Sequence, residues 1–265
     1  VPGARFHEVQ RVRAGINRAV NGFFICDRGR FGTGYVNCPE RPRQAHVIGR
    51  PIAMDSTIGM LGARVLAIAR QHGGESVALL GSPRAGFEAN ALLHAWAEEL
   101  GTPYVVFEAH AERDRVARIT AARLGRHAVS LDDIRRSDLL VLVGADPLAE
   151  GPLLALAIRQ ATRAGGRVVV IDPRPVELPC QFTHLPLSDE GLSDALRVLA
   201  GGSAGALPAE IQSVLLELRA QLATALRPVL AGGGDLLGSH GASTLFDAAA
   251  ALSTRTTPPA LPRPP

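Results

Sequence analysis

The chain contains no lysine: all 28 basic residues among its 265 are arginine. That absence removes several mechanisms at once. A P-loop needs a lysine on the nucleotide phosphates. A protein kinase needs one on a strand beside its nucleotide, and a pyridoxal-phosphate or Schiff-base enzyme needs the amine itself. Aromatic residues make up only 4%, the net charge is only +3, and the arginines are scattered, so no nucleic-acid partner is expected. Cysteine is scarce as well. Cys26, Cys38 and Cys180 are too few for a disulfide framework, form no C-x-x-C pair and have no histidine at zinc-finger spacing. The ordinary role for Cys180, and for Cys38, is that of a small hydrophobe. Apolar runs such as 138–145 (DLLVLVGA) fall far short of the roughly 20 residues that span a bilayer, so no direct membrane insertion is expected. The opening VPGARFHEV has no apolar segment of the kind an export signal needs. No G-x-S-x-G elbow occurs, and no nucleophile is spaced with a paired base.

What is present is core-forming material. Hydrophobic residues make up 46% and charged residues 20%, which excludes disorder as the main state and suits one large domain or two modest ones. Residues 5–12 read as a short strand, 21–44 as an irregular loop rich in Gly, Pro and Asn, and 45–54 as a small extended element. A helix is predicted from a cap at Asp55 or Ser56 to about Gln71. Apolar strands then alternate with amphipathic helices. Strands are predicted at 76–80, 104–107, 139–143, 168–171 and 229–231. Helices are predicted at 86–100, 152–164, 193–199, 209–226 and 242–252, with short helices mixed into 111–136. Continuous apolar strands of this kind belong to a parallel sheet covered on both faces. The fold class is therefore α/β with a mainly parallel, doubly wound sheet and an irregular N-terminal loop region. The strands at 76–80, 139–143, 168–171 and 229–231 are expected in one sheet. The end, TTPPALPRPP, reads as a Pro-rich tail over 254–265.

Four turns follow predicted strands: Gly81-Ser-Pro-Arg-Ala-Gly, Gly144-Ala-Asp-Pro, Asp172-Pro-Arg-Pro and Gly232-Gly-Gly. The carboxyl edge of an open α/β sheet is where ligands bind. Strand-to-helix turns also carry Gly, Asp and Pro simply to reverse the chain, and Ser82 reads as a turn or capping residue. Gly232–Gly234 lacks the G-x-G-x-x-G spacing of a dinucleotide fold.

One string is far more specific. The loop 21–37 (NGFFICDRGRFGTGYVN), with Cys26-Asp-Arg-Gly-Arg-Phe-Gly followed by Tyr35-Val-Asn and Pro39-Glu-Arg, resembles the segment that carries the fourth iron–sulfur cysteine in the molybdopterin oxidoreductase superfamily. Within that superfamily it is most similar to the G-subunit family, the large peripheral-arm subunits of bacterial NADH:quinone oxidoreductases (respiratory complex I). Further pieces follow in family order: ALLGSPRAGFE at 78–88, SDLLVLVGADP at 137–147 with Asp146 where Asn is usual, and ATRAGGRVVVIDPR at 161–174. The resemblance covers roughly residues 5–200. The domain limits expected are 1–54, which resembles the end of an iron–sulfur/molybdopterin domain, 55–253 (the α/β domain) and 254–265 (the Pro-rich tail).

The departures shape the functional expectation. In the family a C-x2-C-x3-C set precedes the fourth cysteine by about 27 residues, and together they hold a [4Fe–4S] cluster. Counted back from Cys26, that set lies before Val1. Cys26 is thus a metal ligand only if upstream or partner cysteines complete a cluster, and no cofactor is expected within this chain. Active members place a Cys, Sec, Ser or Asp on molybdenum in the stretch matching 108–129, which here has no Cys or Ser. The family's pterin-contacting G-T-D is replaced by 187–192, LSDEGL. Molybdopterin is therefore not expected, and Gly144, Asp146, Asp172 and Arg174 would line a site only if a pterin nucleotide binds. The resemblance implies a non-catalytic structural domain in the peripheral arm of the complex, with other respiratory subunits as partners. It also implies a cytoplasmic position, peripheral to the inner membrane, with no activity expected of the chain alone. The alternatives are a fragment or divergent form of an active molybdopterin oxidoreductase, such as an NAD-linked formate dehydrogenase alpha subunit, and a free-standing doubly wound module without a redox role. Arg28 and Arg30 stand as interface or loop-ordering residues.

Overall fold

The buried stretch Leu139–Val143 organises the larger part of the molecule. The computed structural model describes residues 1–18, 20–108 and 110–253. The chain opens with an antiparallel hairpin, β1 (Pro2–Arg5) and β2 (Glu8–Val12). Two short helices interrupt the predicted loop, α1 (Asp27–Phe31) and α2 (Gly34–Asn37). A second hairpin, β3 (Ala45–Val47) and β4 (Arg50–Ile52), leads into α3 (Met54–His72). Neither Asp55 nor Ser56 caps α3. Ala53 holds the cap position without a side-chain bond, because the helix already begins at Met54 and makes Asp55 and Ser56 its second and third residues. Next come β5 (Leu79–Leu80), α4 (Phe87–Leu100), β6 (Val105–Val106) and α5 (Ala111–Arg123). The chain continues through α6 (Leu131–Arg135), β7 (Leu139–Val143), α7 (Pro147–Glu150), α8 (Pro152–Arg163), β8 (Arg167–Ile171) and β9 (Thr183–Leu185). It closes with α9 (Asp189–Ala200), α10 (Ala209–Thr224), β10 (Pro228–Gly232) and α11 (Gly234–Ser253), the last kinked at Gly238. The Pro-rich tail lies outside the described residues.

Packing divides the chain into two units, one formed by Val1–Thr33 with the chain from Arg115 onward, the other by Gly34–Asp114. Packing does not address the domain limits expected at 54 and 253.

The larger unit holds a four-stranded sheet in the order β10-β7-β8-β9, every pair parallel. Its side chains alternate as the pleat requires. Leu140, Leu142, Val168 and Val170 meet α6 and α8 through Ile134, Ala157 and Ile158. Leu139, Val141, Val143, Val169 and Ile171 meet α9, α10 and α11 through Leu192, Leu196, Leu199, Leu215 and Leu237. Both faces are covered, which is the doubly wound arrangement. Asp138 fixes the central pairing: its carboxylate accepts from Leu226 N at 2.7 Å and Arg227 N at 2.9 Å, delivering β10 to the side of β7.

The smaller unit pairs β5 with β6 in a separate two-stranded parallel sheet. This corrects the expectation that 76–80 joins the main sheet: only two residues of each strand pair, so the segment finds its neighbour locally. Leu79, Ala97 and Leu100 form the core there, with Val65, Leu66 and Trp96 against it. Ile58, Met60, Leu61, Phe87 and Leu92 remain exposed.

Candidate functional site

The sheet runs β7, β8, β9 in one direction and then places β10 on the opposite side of β7. The reversal lies between β7 and β10, the kind of position where doubly wound sheets bind ligands outside their carboxyl ends. Gly144 and Asp146 follow β7, Gly233 follows β10, and Asp172 and Arg174 follow β8. The structure thus brings all four sequence-predicted residues to one edge of one sheet.

Each is engaged there. Asp146 caps α7, its Oδ1 accepting from Leu148 N at 3.1 Å and Ala149 N at 3.2 Å, as a short polar side chain does before a helix whose first residue is proline. Glu150 Oε1 accepts from Asp146 N at 3.0 Å. Asp172 is fully buried and accepts three bonds from Arg174: its backbone N–H at 2.9 Å, Nε at 2.9 Å and Nη2 at 2.8 Å. Arg174 also lies 3.6 Å from Glu150. His184 Nε2 is 2.9 Å from the Asp172 carbonyl, tying β9 to the same knot. Burial pushes the Asp172 carboxyl up, but the hydrogen bonds and charge of Arg174 outweigh that and leave it below the usual carboxylate range. The Asp172 bond, joined by the charges of Asp172, Glu150 and Asp146, raises Arg174 above the ordinary guanidinium value. Glu150 and His184 were not legible as partners. Glu150 is set apart only by its i, i+4 spacing from Asp146, and His184 sits in a three-residue strand without an apolar run.

Gly144 and Gly233 close the crevice between β7 and β10. Gly144 adopts φ 59°, and a Cβ there would lie 3.3 Å from both Leu192 and Leu237. A Cβ on Gly233 would fall 2.1 Å from the Gly144 carbonyl oxygen. A side chain at either position would collide with backbone or leucine, so both must be glycine, and both oxygens of the Asp172 carboxylate already accept from Arg174. The LSDEGL segment serves α9: Ser188 Oγ caps it, accepting from Gly191 N at 3.3 Å.

Cys26 occupies the cap position of α1. Two residues on, Arg28 Nη2 donates to the Ala149 carbonyl at 3.4 Å, which ties the cysteine segment to α7 and so to the Asp146 turn. Among the described residues, no three His, Cys, Asp or Glu side chains are placed to hold a metal ion. A [4Fe–4S] cluster needs four ligands, and Cys26 supplies one. Cys38 is half-buried, and its thiol donates to Glu40 Oε2 at 2.9 Å, which lowers the Glu40 carboxyl. Cys180 does pack as a small hydrophobe, against the cluster of Ile158 and Val170. Residues 108–129 contribute mainly the helix α5, whose Arg123 donates to the Ser243 carbonyl at 3.0 Å and pairs with Asp247 at 2.6 Å.

Comparison with known proteins agrees with this architecture. The chain is 36% identical over 169 residues to the G subunit of NADH-quinone oxidoreductase from Escherichia coli (strain K12), a match spanning 63% of this chain and 18% of that protein. The chain thus covers less than a fifth of the length of that curated relative. Among solved structures, the formyltransferase/hydrolase complex FhcABCD from Methylorubrum extorquens superposes with a TM-score of 0.57 at 19% identity, over 80% of this chain and 58% of that one. Acetylene hydratase from Pelobacter acetylenicus gives a TM-score of 0.55 at 11% identity, over 91% and 40%. At these identities the likeness is one of fold. The family model for molybdopterin oxidoreductases matches residues 58–199, more than half the chain. The chain belongs to the molybdopterin oxidoreductase family.

Proposed function

We propose that this chain is a structural, non-catalytic part of a homologue of the NADH-quinone oxidoreductase G subunit. It stands in the peripheral arm, on the cytoplasmic side of the inner membrane, packed against other subunits. The observation that carries the reading is the 36% identity to the Escherichia coli G subunit over 169 residues. Two structural facts support it. The carboxyl-edge residues Asp146, Asp172 and Arg174 bond to one another and to the chain. The exposed apolar side chains Ile58, Leu61, Phe87 and Leu92 are suited to packing against further protein. In addition, no described helix is long and apolar enough to cross a membrane.

In this role Asp172–Arg174 and Asp146–Glu150 hold the strand ends rigid, and Cys26 is a cluster ligand only where other cysteines supply the remaining thiolates. Affinity purification of the tagged protein from its native cells is the test. Co-purification with NADH-oxidising, iron–sulfur-containing subunits is expected. Formate-linked dye reduction by the purified chain alone would overturn the structural reading in favour of an active molybdopterin oxidoreductase.

A further inference from the structure

The opposite end of the main sheet carries a feature that the structural role leaves unused. At the amino-terminal ends of β8 and β9 lies an open cavity of about 600 Å³. Arg159 and Arg163, one turn apart at the end of α8, line it together with Arg167, the first residue of β8. Thr162, Cys180 and Thr183 contribute to the same wall, and no aspartate or glutamate does.

Arg159 and Arg163 bring two guanidinium-bearing side chains to this space from α8, while Arg167 lines it from the start of β8 and turns its own guanidinium to Gln221 of α10. Like charges at i, i+4 destabilise a helix, and Arg159 and Arg163 stand at that spacing. The helix dipole accounts for Arg163, the basic residue in the last turn of α8. It does not account for Arg159. Among the described residues none of the three pairs with a carboxylate. The one side-chain partner is neutral: Arg167 Nη1 donates to Gln221 Oε1 at 3.3 Å. Some arginines of the larger unit are matched by acids, as Arg123 by Asp247 and Arg174 by Asp172. No acidic side chain lines the cavity to offset Arg159 and Arg163.

We propose that this cavity binds a multivalent oxyanion carried by a small molecule. Guanidinium forks match phosphate and carboxylate oxygens in two-point geometry, and the volume falls within the range of small-molecule sites. Phosphate and polycarboxylate groups share this chemistry, and the choice of probe separates them.

The test is calorimetric titration of the purified protein at constant ionic strength with inorganic pyrophosphate and, separately, with citrate. Saturable binding of pyrophosphate or citrate, with chloride inert, is the expected result. Pyrophosphate alone would identify phosphate groups as the ligand, and citrate alone would identify carboxylates. The double variant Arg159→Gln, Arg163→Gln should weaken binding by about tenfold or more, given that hydrogen bonds to charged groups are the strong ones, while its circular dichroism stays that of the parent. If the double variant fails to fold, the single variant Arg159→Gln, at an exposed position, takes its place with a smaller loss in the same direction. No saturable heat with either anion, or equal affinity in the folded variant, would overturn the proposal.

Discussion

Arg174 donates three hydrogen bonds to the Asp172 carboxylate, one from its backbone and two from its guanidinium, at the carboxyl end of a strand where Asp172 is fully buried. The pair is a two-residue clamp that turns the chain sharply out of β8 while leaving no carboxylate oxygen unsatisfied.

Replacing Asp172 by Ala removes the acceptor of all three bonds. Arg174 is 44% exposed, so water can recover part of the loss. The expected destabilisation is about 2 kcal/mol, near the middle of the range for charged hydrogen bonds. Urea unfolding followed by far-ultraviolet circular dichroism measures it, and a change below about 0.5 kcal/mol, the scale of ordinary surface substitutions, would contradict the clamp.

The same carboxylate gives the protein an acid dependence. Asp172 and Asp133 are both held below their usual range in the folded state, Asp172 against its burial by Arg174 and Asp133 by the Ser130 hydroxyl. A carboxylate with a depressed folded value stabilises the fold above its unfolded value, near pH 4, and that contribution is lost as pH falls through the folded value. Stability measured between pH 6 and pH 2 should therefore fall more steeply in the parent than in Asp172→Asn. Parallel curves would refute the assignment.

The approach of Gly233 to Gly144 predicts an asymmetric pair of alanine variants. Gly233→Ala drives a Cβ to 2.1 Å from a backbone oxygen that cannot swing away, and a loss of about 2 kcal/mol or more is expected, as for other severe backbone clashes. Gly151→Ala meets nothing closer than 3.7 Å and should stay within about 0.5 kcal/mol of the parent. Thermal melting of the two proteins checks the contrast.

Ser130 closes a capping box on α6. Its Oγ accepts from Asp133 N at 3.1 Å, while Asp133 Oδ2 accepts from Ser130 N at 2.8 Å. Ser130→Ala should cost about 1 kcal/mol, and hydrogen exchange should show faster opening of Ile134 and its neighbours than in the parent.

The strands β7 and β8 were legible because they are buried on both faces, and only an uninterrupted apolar run can satisfy such a position. The strand β9 was not legible. Thr183-His-Leu lies at the sheet edge, where one side of the backbone pairs and polar side chains are tolerated, so neither a run nor an alternation marks it. Partition between sheets was hidden for a related reason: Leu79-Leu80 reads like any buried strand, and nothing local states that its neighbour is Val105-Val106. The start of α11 was placed too late because Gly238 sits in a helix-incompatible backbone conformation, and the glycines around it read as a turn. At the candidate site, Asp146, Asp172 and Arg174 were visible as chain-reversal residues. The bonds each of them makes depend on distances that sequence spacing does not carry.

The position of β10 beside β7 has a consequence for synthesis on the ribosome. Leu139 pairs with Pro228, and Val143 with Gly232, so the central strand of the sheet waits for a partner made nearly ninety residues later. Until that partner emerges, β7 has an open backbone edge on a strand of Leu and Val, the kind of surface that recruits other chains. A nascent chain stalled just before Pro228 would present that edge to its neighbours. The interval between these two strands is therefore when the protein most needs protection from aggregation.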